Sequence, residues 1–197
     1  MRALILAAGT GSRLGLGVPK ALVPVAGRPI IEWQLDALMG HEITVVAGHM
    51  ADAVARQVSG RARIIVSRDF ACTSPCHSIG LAGGDSLHLI LDGDLLLMGG
   101  AFPRHPFIGV CPPRSEEPVY VEVGPSGMAE RFGTAPTGLE WACVFAWRPS
   151  FFAGRRTGHV YEALAPELPL PAVAVDCFEV DTPADLREAE RWMAART

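Results

Sequence analysis

Four residues near the N-terminus, Gly9, Gly11, Arg13 and Lys20, are of the types that hold a phosphate chain. They share one short stretch, "LILAAGTGSRLGLGVPKALVPVAGRPII". A glycine-rich turn between a buried strand and a helix turns its backbone N–H groups toward phosphate oxygens. The two cations differ in kind: arginine grips oxygens with a planar fork, whereas lysine carries a compact charge on a swinging stem. Lys20 is the sole lysine among 197 residues, beside sixteen arginines. A phosphoryl group that changes geometry during reaction favours such a mobile point charge, and the plain alternative is a chance surface lysine. Two familiar glycine loops fail on spacing. The dinucleotide fingerprint needs a third glycine where Leu14 stands, and the mononucleotide loop needs Gly-Lys before Ser or Thr, whereas this lysine sits in "PKA".

Acids supply the second half of a phosphate site. "LHLILDGD" is an apolar run ending in Asp92 and Asp94, which alternate around Gly93 and so point the same way. A carboxylate outside the carboxyl end of a parallel strand lies in the crevice where α/β ligands bind. Mg²⁺ takes one or two carboxylates together with phosphate oxygens and water; the ordinary alternative is a pair of solvated turn acids. Asp181 precedes a helix start, where the positive end already favours an acid, and Glu179 points to the same side. "TSPCHSIGLA" offers the hydroxyls of Thr73 and Ser78.

Strands and helices must alternate to bring these groups together. "ALILAAG", "ITVVAG", "ARIIVS" and "LHLILDGDLLL" read as buried strands. "PIIEWQLDALM" places Ile31, Leu35 and Leu38 on one helical face, with Pro29 in the first turn. "ADAVARQV" is a helix, and "SIGLAGGD" a short one with Ser78 as its N-cap. Such alternation implies right-handed βαβ units and a largely parallel sheet. "FIGVC", "VYVEVG" and "EWACVFAW" are strand-like pieces between Pro- and Gly-rich links, with a helix near "VYEALA". They form a mixed or antiparallel extension. "VAVDCFEV" is a last strand, and "DTPADLREAERWMAAR" a last helix with Thr182 as N-cap, Pro183 first and Asp185 three past the cap.

Composition bounds the remaining classes. The chain suits one domain, residues 1–197, with 49% apolar and 19% charged residues. A net charge of −4 gives no footprint for nucleic acid or an anionic membrane. No run reaches the ~18 apolar residues of a membrane span, and the N-terminus does not read as a secretory signal. Five scattered cysteines argue against a disulfide framework, and Cys72, Cys76 and His77 lack a second pair at zinc spacing. These features lead us to expect a cytoplasmic protein.

The opening stretch resembles the signature of nucleotidyltransferases that couple an NTP to a phosphorylated small molecule: L-A-A-G-x-G-x-R-(L/M)-G, then P-K, then G-(R/K)-P-(L/I). "VVAGHMADAV", "DGDLLL" and "EVDTPADL" are similar to further family elements. The resemblance spans nearly the whole chain and is thinnest over residues 100–175. It implies an α/β fold, a doubly wound, mostly parallel sheet with a small mixed or antiparallel extension, of glycosyltransferase-A type. It implies nucleotide contacts from Leu6, Ala7, Ala8, Gly9, Thr10, Gly11, Thr73 and Ser78, with Asp92 as a supporting group. Arg13, Lys20 and Asp94 become the catalytic set, and Asp94 and Asp181 the ligands of Mg²⁺ or Mn²⁺. The implied partners are an NTP, CTP by resemblance to the choline-phosphate branch, and a small phosphate or phosphonate; a homodimer is compatible with this. The paired asparagines usual in that branch are missing, which leaves the base open. A molybdenum-cofactor cytidylyl- or guanylyltransferase shares the length and both termini, although its usual G-x-x-G-H-P element is absent. A sugar-1-phosphate nucleotidyltransferase is the other alternative.

Overall fold

The computed structural model describes residues 1–196. In chain order the first half forms β1 (Arg2–Ala7), the hairpin β2 (Pro24–Val25) and β3 (Arg28–Pro29), α1 (Ile30–Ala37), β4 (Glu42–Ala47) and α2 (Ala51–Gln57). It continues with β5 (Arg63–Val66), α3 (Pro75–Ala82), β6 (His88–Asp92) and β7 (Leu95–Leu97). The second half forms β8 (Phe107–Cys111), β9 (Tyr120–Val123), β10 (Met128–Gly133), β11 (Glu140–Trp147), α4 (Val160–Leu164), β12 (Leu170–Ala174), β13 (Cys177–Glu179) and α5 (Pro183–Ala194). Among the described residues no helix is long and apolar enough to cross a membrane.

One sheet runs β5-β4-β1-β6-β11-β8-β12-β10-β9. Its first four strands are parallel, and β11 then joins β6 in the opposite sense. Apolar residues on both faces of β1 explain its central place. Ala3, Ile5 and Ala7 pack with Ile31, Leu35 and Val54 of α1 and α2, while Leu4 packs with Ile79 of α3 on the other face. This is the doubly wound α/β arrangement expected. Register matters for the site: Leu6 pairs with Asp92, and Ala7 with Ala47. The glycine loop therefore leaves the same sheet edge as the acidic turn.

Three local expectations change. The short helix begins earlier than "SIGLAGGD" suggests: Ser74 is the N-cap and Pro75 the first residue. Proline fixes the helical φ where no N–H is needed, so the Ser-Pro pair sets the start, and Ser78 becomes a buried interior residue. Pro29 likewise stands at the N-cap of α1, held by the hairpin it closes. The last strand breaks at Val175–Asp176, splitting into β12, in the large sheet, and β13, which pairs with β7.

A separate apolar cluster brings the chain ends together. Leu14, Val23 and Val25 from the loop and hairpin pack with Leu96, Phe178, Val180, Ala189 and Met193. Glu190 of α5 accepts from Ala26 N at 3.0 Å. The capping box closes the other end, with Thr182 N donating to Asp185 Oδ2 at 2.7 Å and Asp185 N to Thr182 Oγ1 at 3.2 Å. Asp181 N also donates to Asp185, at 3.1 Å.

Candidate functional site

The loop after β1 doubles back on itself. Gly11 has φ of 67°, and a Cβ there would meet Val18 O at 2.6 Å and the Lys20 N and Cγ at 3.3 Å. The stem of Lys20 therefore packs against the glycine turn, which aims its ammonium. Gly9 differs: no atom lies within 4 Å of its Cβ position, and it lines a cavity of about 320 Å³. Nothing inside the chain demands glycine there, and the open side leaves room for a ligand to reach the backbone.

The acidic turn is braced from two sides. A Cβ on Gly93 would strike Leu6 O at 2.7 Å, and its N–H donates to that same oxygen at 2.9 Å. Gln34 of α1 is fully buried, and its amide donates to Asp92 O at 2.6 Å and Leu95 O at 2.9 Å. Asp94 is thereby held over the end of β1. Lys20 Nζ donates to Asp94 Oδ2 at 2.8 Å and also to Asp181 Oδ1, and Arg13 Nη1 reaches Asp181 Oδ2 at 2.6 Å. The lysine and the two aspartate side chains are only 13–17% exposed, whereas Arg13 is 64% exposed.

Three acids converge here. One oxygen each from Asp94, Glu179 and Asp181 lies within 4.8 Å of the others, and Asp94 Oδ1 is buried without a partner. A hard divalent cation with carboxylate oxygens fits both the donor set and the orphaned oxygen. The crowding shows in the acid–base balance. Burial, then the charge of Asp94, pushes Asp92 up to about 7 against the pull of Lys20. Burial followed by repulsion from Asp94 and Asp92 raises Glu179 to about 8. Both shifts mean that negative charge is disfavoured in this crowded space, a penalty that an added cation would relieve.

The smaller cavity gathers most of the residues expected to meet a nucleotide. Leu6, Ala7, Ala8, Gly9 and Gly11 line it from the loop side, and Thr73, Ser78 and Asp92 from across. Thr10 is exposed and is not among the lining residues. The Thr73 hydroxyl already donates to Asp69 O at 2.9 Å. Ser74 and Phe70 also line this cavity, and neither was anticipated. Ser74 Oγ is buried without a partner although its residue caps α3. Phe70 is seated by Gly48, whose Cβ would meet Phe70 Cβ at 2.6 Å and Ala8 O at 2.7 Å.

A second cavity of about 890 Å³ adjoins the first, with Arg13, Asp92 and Glu179 on both walls and Asp181 on this one. Its outer wall comes from β11, α4 and the segment after β8. Three cysteines far apart in sequence, Cys111, Cys143 and Cys177, line it as free thiols.

Known proteins are similar to this chain in sequence or in fold. Residues 3–100 match the family described as the MobA-like NTP transferase domain. The chain is 38% identical over 112 residues to the bifunctional protein GlmU of Pelobacter propionicus, covering 50% of this chain and 23% of that protein. It is also 38% identical over 111 residues to the CMP-5'-(3-aminopropyl)phosphonate synthase of Streptomyces rubellomurinus, covering 51% and 17%. The matched segments thus span under a quarter of these curated relatives. Among solved structures, the CTP:phosphocholine cytidylyltransferase of Streptococcus pneumoniae superposes with a TM-score of 0.83, 20% identity and 98% of each chain covered. The inositol-1-phosphate CTP transferase of T. maritima gives 0.74 at 18% identity, over 98% of this chain and 94% of that one.

Proposed function

We propose, from the match of residues 3–100 to the MobA-like NTP transferase domain family, that this chain transfers a nucleoside monophosphate from an NTP to a small phosphate or phosphonate. The observation that carries this is the meeting of one cation, Lys20, with Asp94 and Asp181 where the two cavities join. An acceptor oxygen from the larger cavity attacks the α-phosphorus of an NTP in the smaller one. The new P–O bond forms as the bond to the bridging β-phosphate oxygen breaks, and pyrophosphate leaves with that electron pair. The attacking oxygen is already anionic, so no general base is needed.

The chain's own groups position and neutralise charge. The Gly9 and Gly11 amides and Arg13 hold the triphosphate. Lys20 leaves the two carboxylates as the triphosphate arrives and follows the α-phosphate as it becomes trigonal-bipyramidal. Asp94, Asp181 and Glu179 would hold Mg²⁺ or Mn²⁺, which when bound offsets charge on the triphosphate. Asp92 supports the turn from behind.

CTP is the favoured donor because the phosphonate synthase relative is named for a CMP product. A sugar-1-phosphate acceptor is the second reading, since the fold is shared with UDP-glucose pyrophosphorylase at a TM-score of 0.77 and 16% identity. The deciding experiment incubates the protein with each of four NTPs, Mg²⁺ and a panel of phosphorylated alcohols, phosphonates and sugar 1-phosphates. Pyrophosphate release with one NTP, lost in Asp94→Asn, is expected. Release with none of the pairs, or equal release from the variant, would overturn the proposal.

A further inference from the structure

The wall of the larger cavity away from the acids has a chemistry of its own. Trp141 of β11 and Tyr161 of α4 meet edge to face, 6.0 Å apart at 77°. The two near-perpendicular rings form adjacent walls of a corner, both line the cavity, and His159, which lines it too, stacks on Tyr161 at 5.3 Å and 22°, so the corner has three rings. Phe132 stands 5.6 Å from Trp141 and 6.0 Å from Tyr161, and it is not a lining residue, so it buttresses the corner from outside.

The neighbouring segment carries Glu116 and Glu117 to the same cavity. Its position is built rather than incidental. Glu140, 6% exposed, accepts from Arg114 N at 2.9 Å, Ser115 Oγ at 2.5 Å and Ser115 N at 3.4 Å. A buried carboxylate thus ties down the residues just before the two glutamates. Arg114 is the nearest cation in sequence, and it is drawn elsewhere. Its Nη1 donates to Cys177 O at 3.1 Å, and its guanidinium lies over Phe178 and Trp192 at 5.6 and 5.9 Å. Among the described residues neither Glu116 nor Glu117 has an ion-pair partner, although other surface acids of this arginine-rich chain do.

An aromatic corner beside two unpaired carboxylates selects for positive charge. The ring faces attract an organic cation, and the carboxylates add a Coulomb pull across the cavity mouth. A neutral sugar would gain ring contact but leave both charges unanswered. We infer that this corner is the subsite for an alkylammonium group at the end of the acceptor remote from its phosphate or phosphonate. The inference deepens the nucleotidyl-transfer reading and rests on it only for the acceptor's other end. Trp141 and Tyr161 supply the faces, Glu116 and Glu117 the charge, and Glu140 positions the segment.

The test compares acceptors that differ only in the tail, with pyrophosphate release as readout. 3-Aminopropylphosphonate should exceed propylphosphonate in kcat/KM by on the order of 10-fold or more. The double variant Glu116→Gln, Glu117→Gln should lose most of that preference through KM for the amine, leaving kcat and the propylphosphonate reaction as in the parent. Equal use of the two phosphonates, or preference for glucose 1-phosphate unaffected by the double variant, would overturn the inference. A second arm needs no turnover: tetramethylammonium chloride titrated against the protein and followed by ligand-observed NMR. Saturable binding that weakens in Tyr161→Leu and in the double variant supports the corner, and identical signals from parent and variants overturn it. No release with any NTP and acceptor, alongside saturable tetramethylammonium binding, would sink the transfer reading and leave the corner standing.

Discussion

The two cavities share a seam yet are built on opposite plans. Around the smaller one, at the edge of the parallel strands, nearly every turn is cross-braced. Gly11 folds onto Lys20, Gly93 lies on Leu6, and Gln34 pins the turn that carries Asp94. The larger one, of about 890 Å³ against 320 Å³, opens beside the antiparallel strands, and its charged rim depends on a single buried carboxylate, Glu140. A transition state tolerates displacements of only an ångström, so the side proposed for reaction is rigid. A wide pocket with aromatic faces tolerates different tails, so selectivity can change there without disturbing the phosphate side.

The largest expected effect falls on the rigid side. Asp94→Asn should lower turnover by roughly 100-fold or more, because it weakens the carboxylate set proposed to hold the divalent cation that neutralises the phosphates. Thermal unfolding of the variant should stay near that of the parent. A parallel loss of stability and activity would make Asp94 a structural acid and remove the functional side of the contrast.

Lys20→Arg keeps the charge and changes its shape. The wider guanidinium should be misplaced, costing on the order of 100-fold in single-turnover rate, while NTP affinity falls less because Arg13 and the loop amides remain. Lys20 also sits between Asp94 and Asp181, where its ammonium competes with any other cation. Lys20→Met should therefore bind Mn²⁺ more tightly than the parent when no nucleotide is present, as read by electron paramagnetic resonance. An unchanged rate for Lys20→Arg would mean that any cation suffices, and unchanged Mn²⁺ affinity would mean the lysine does not guard the acids.

A smaller effect is expected on the open side. Glu140→Gln should raise the acceptor KM by roughly 10-fold, since it weakens the three charge-assisted hydrogen bonds that order residues 114–117. NTP affinity should not move. If NTP affinity fell equally, the two cavities would not be separable.

The same contrast governs what the sequence disclosed. The parallel half and the last helix were legible because their signals are local: glycines at a strand end, an acid pair closing an apolar run, Thr182 with Asp185 at a helix start. Gln34 was hidden by its place on the apolar face of α1, although a polar residue between Ile31 and Leu35 is itself a mark of a buried hydrogen-bonding role. Ser74 was passed over for Ser78, yet a serine directly before proline is the stronger helix start. In the second half β10 reads "MAERFG", with only Ala129 buried and a register shift between Ala129 and Arg131. β12 contains Pro171, which argues against a strand interior. The aromatic corner joins residues from β11 and α4, and no spacing along the chain announces such a meeting.

The smallest effect comes from the far end of the sheet and is a control on the whole contrast. His88 begins β6, opposite Arg2 and Trp147, at the edge remote from the acids. It is 5% exposed, and its Nδ1 lies 2.9 Å from Ser86 O. Burial, more than the nearby Arg2 and Arg63 charges, lowers its pKa below the usual 6.5, opposed by the Ser86 contact. The sign follows. Below pH 6.5 the unfolded chain takes up a proton that the folded chain resists, so this group costs stability as the pH falls. His88→Asn lacks that proton site, and its stability relative to the parent should improve between pH 7.5 and pH 5. Chemical denaturation at both values measures the difference. Nucleotidyl transfer at pH 7.5 should be the same in both proteins, because His88 touches neither cavity. A stability difference that stays constant with pH would show that the buried imidazole is not the group titrating, and a change in transfer would show that the two edges of the sheet are coupled.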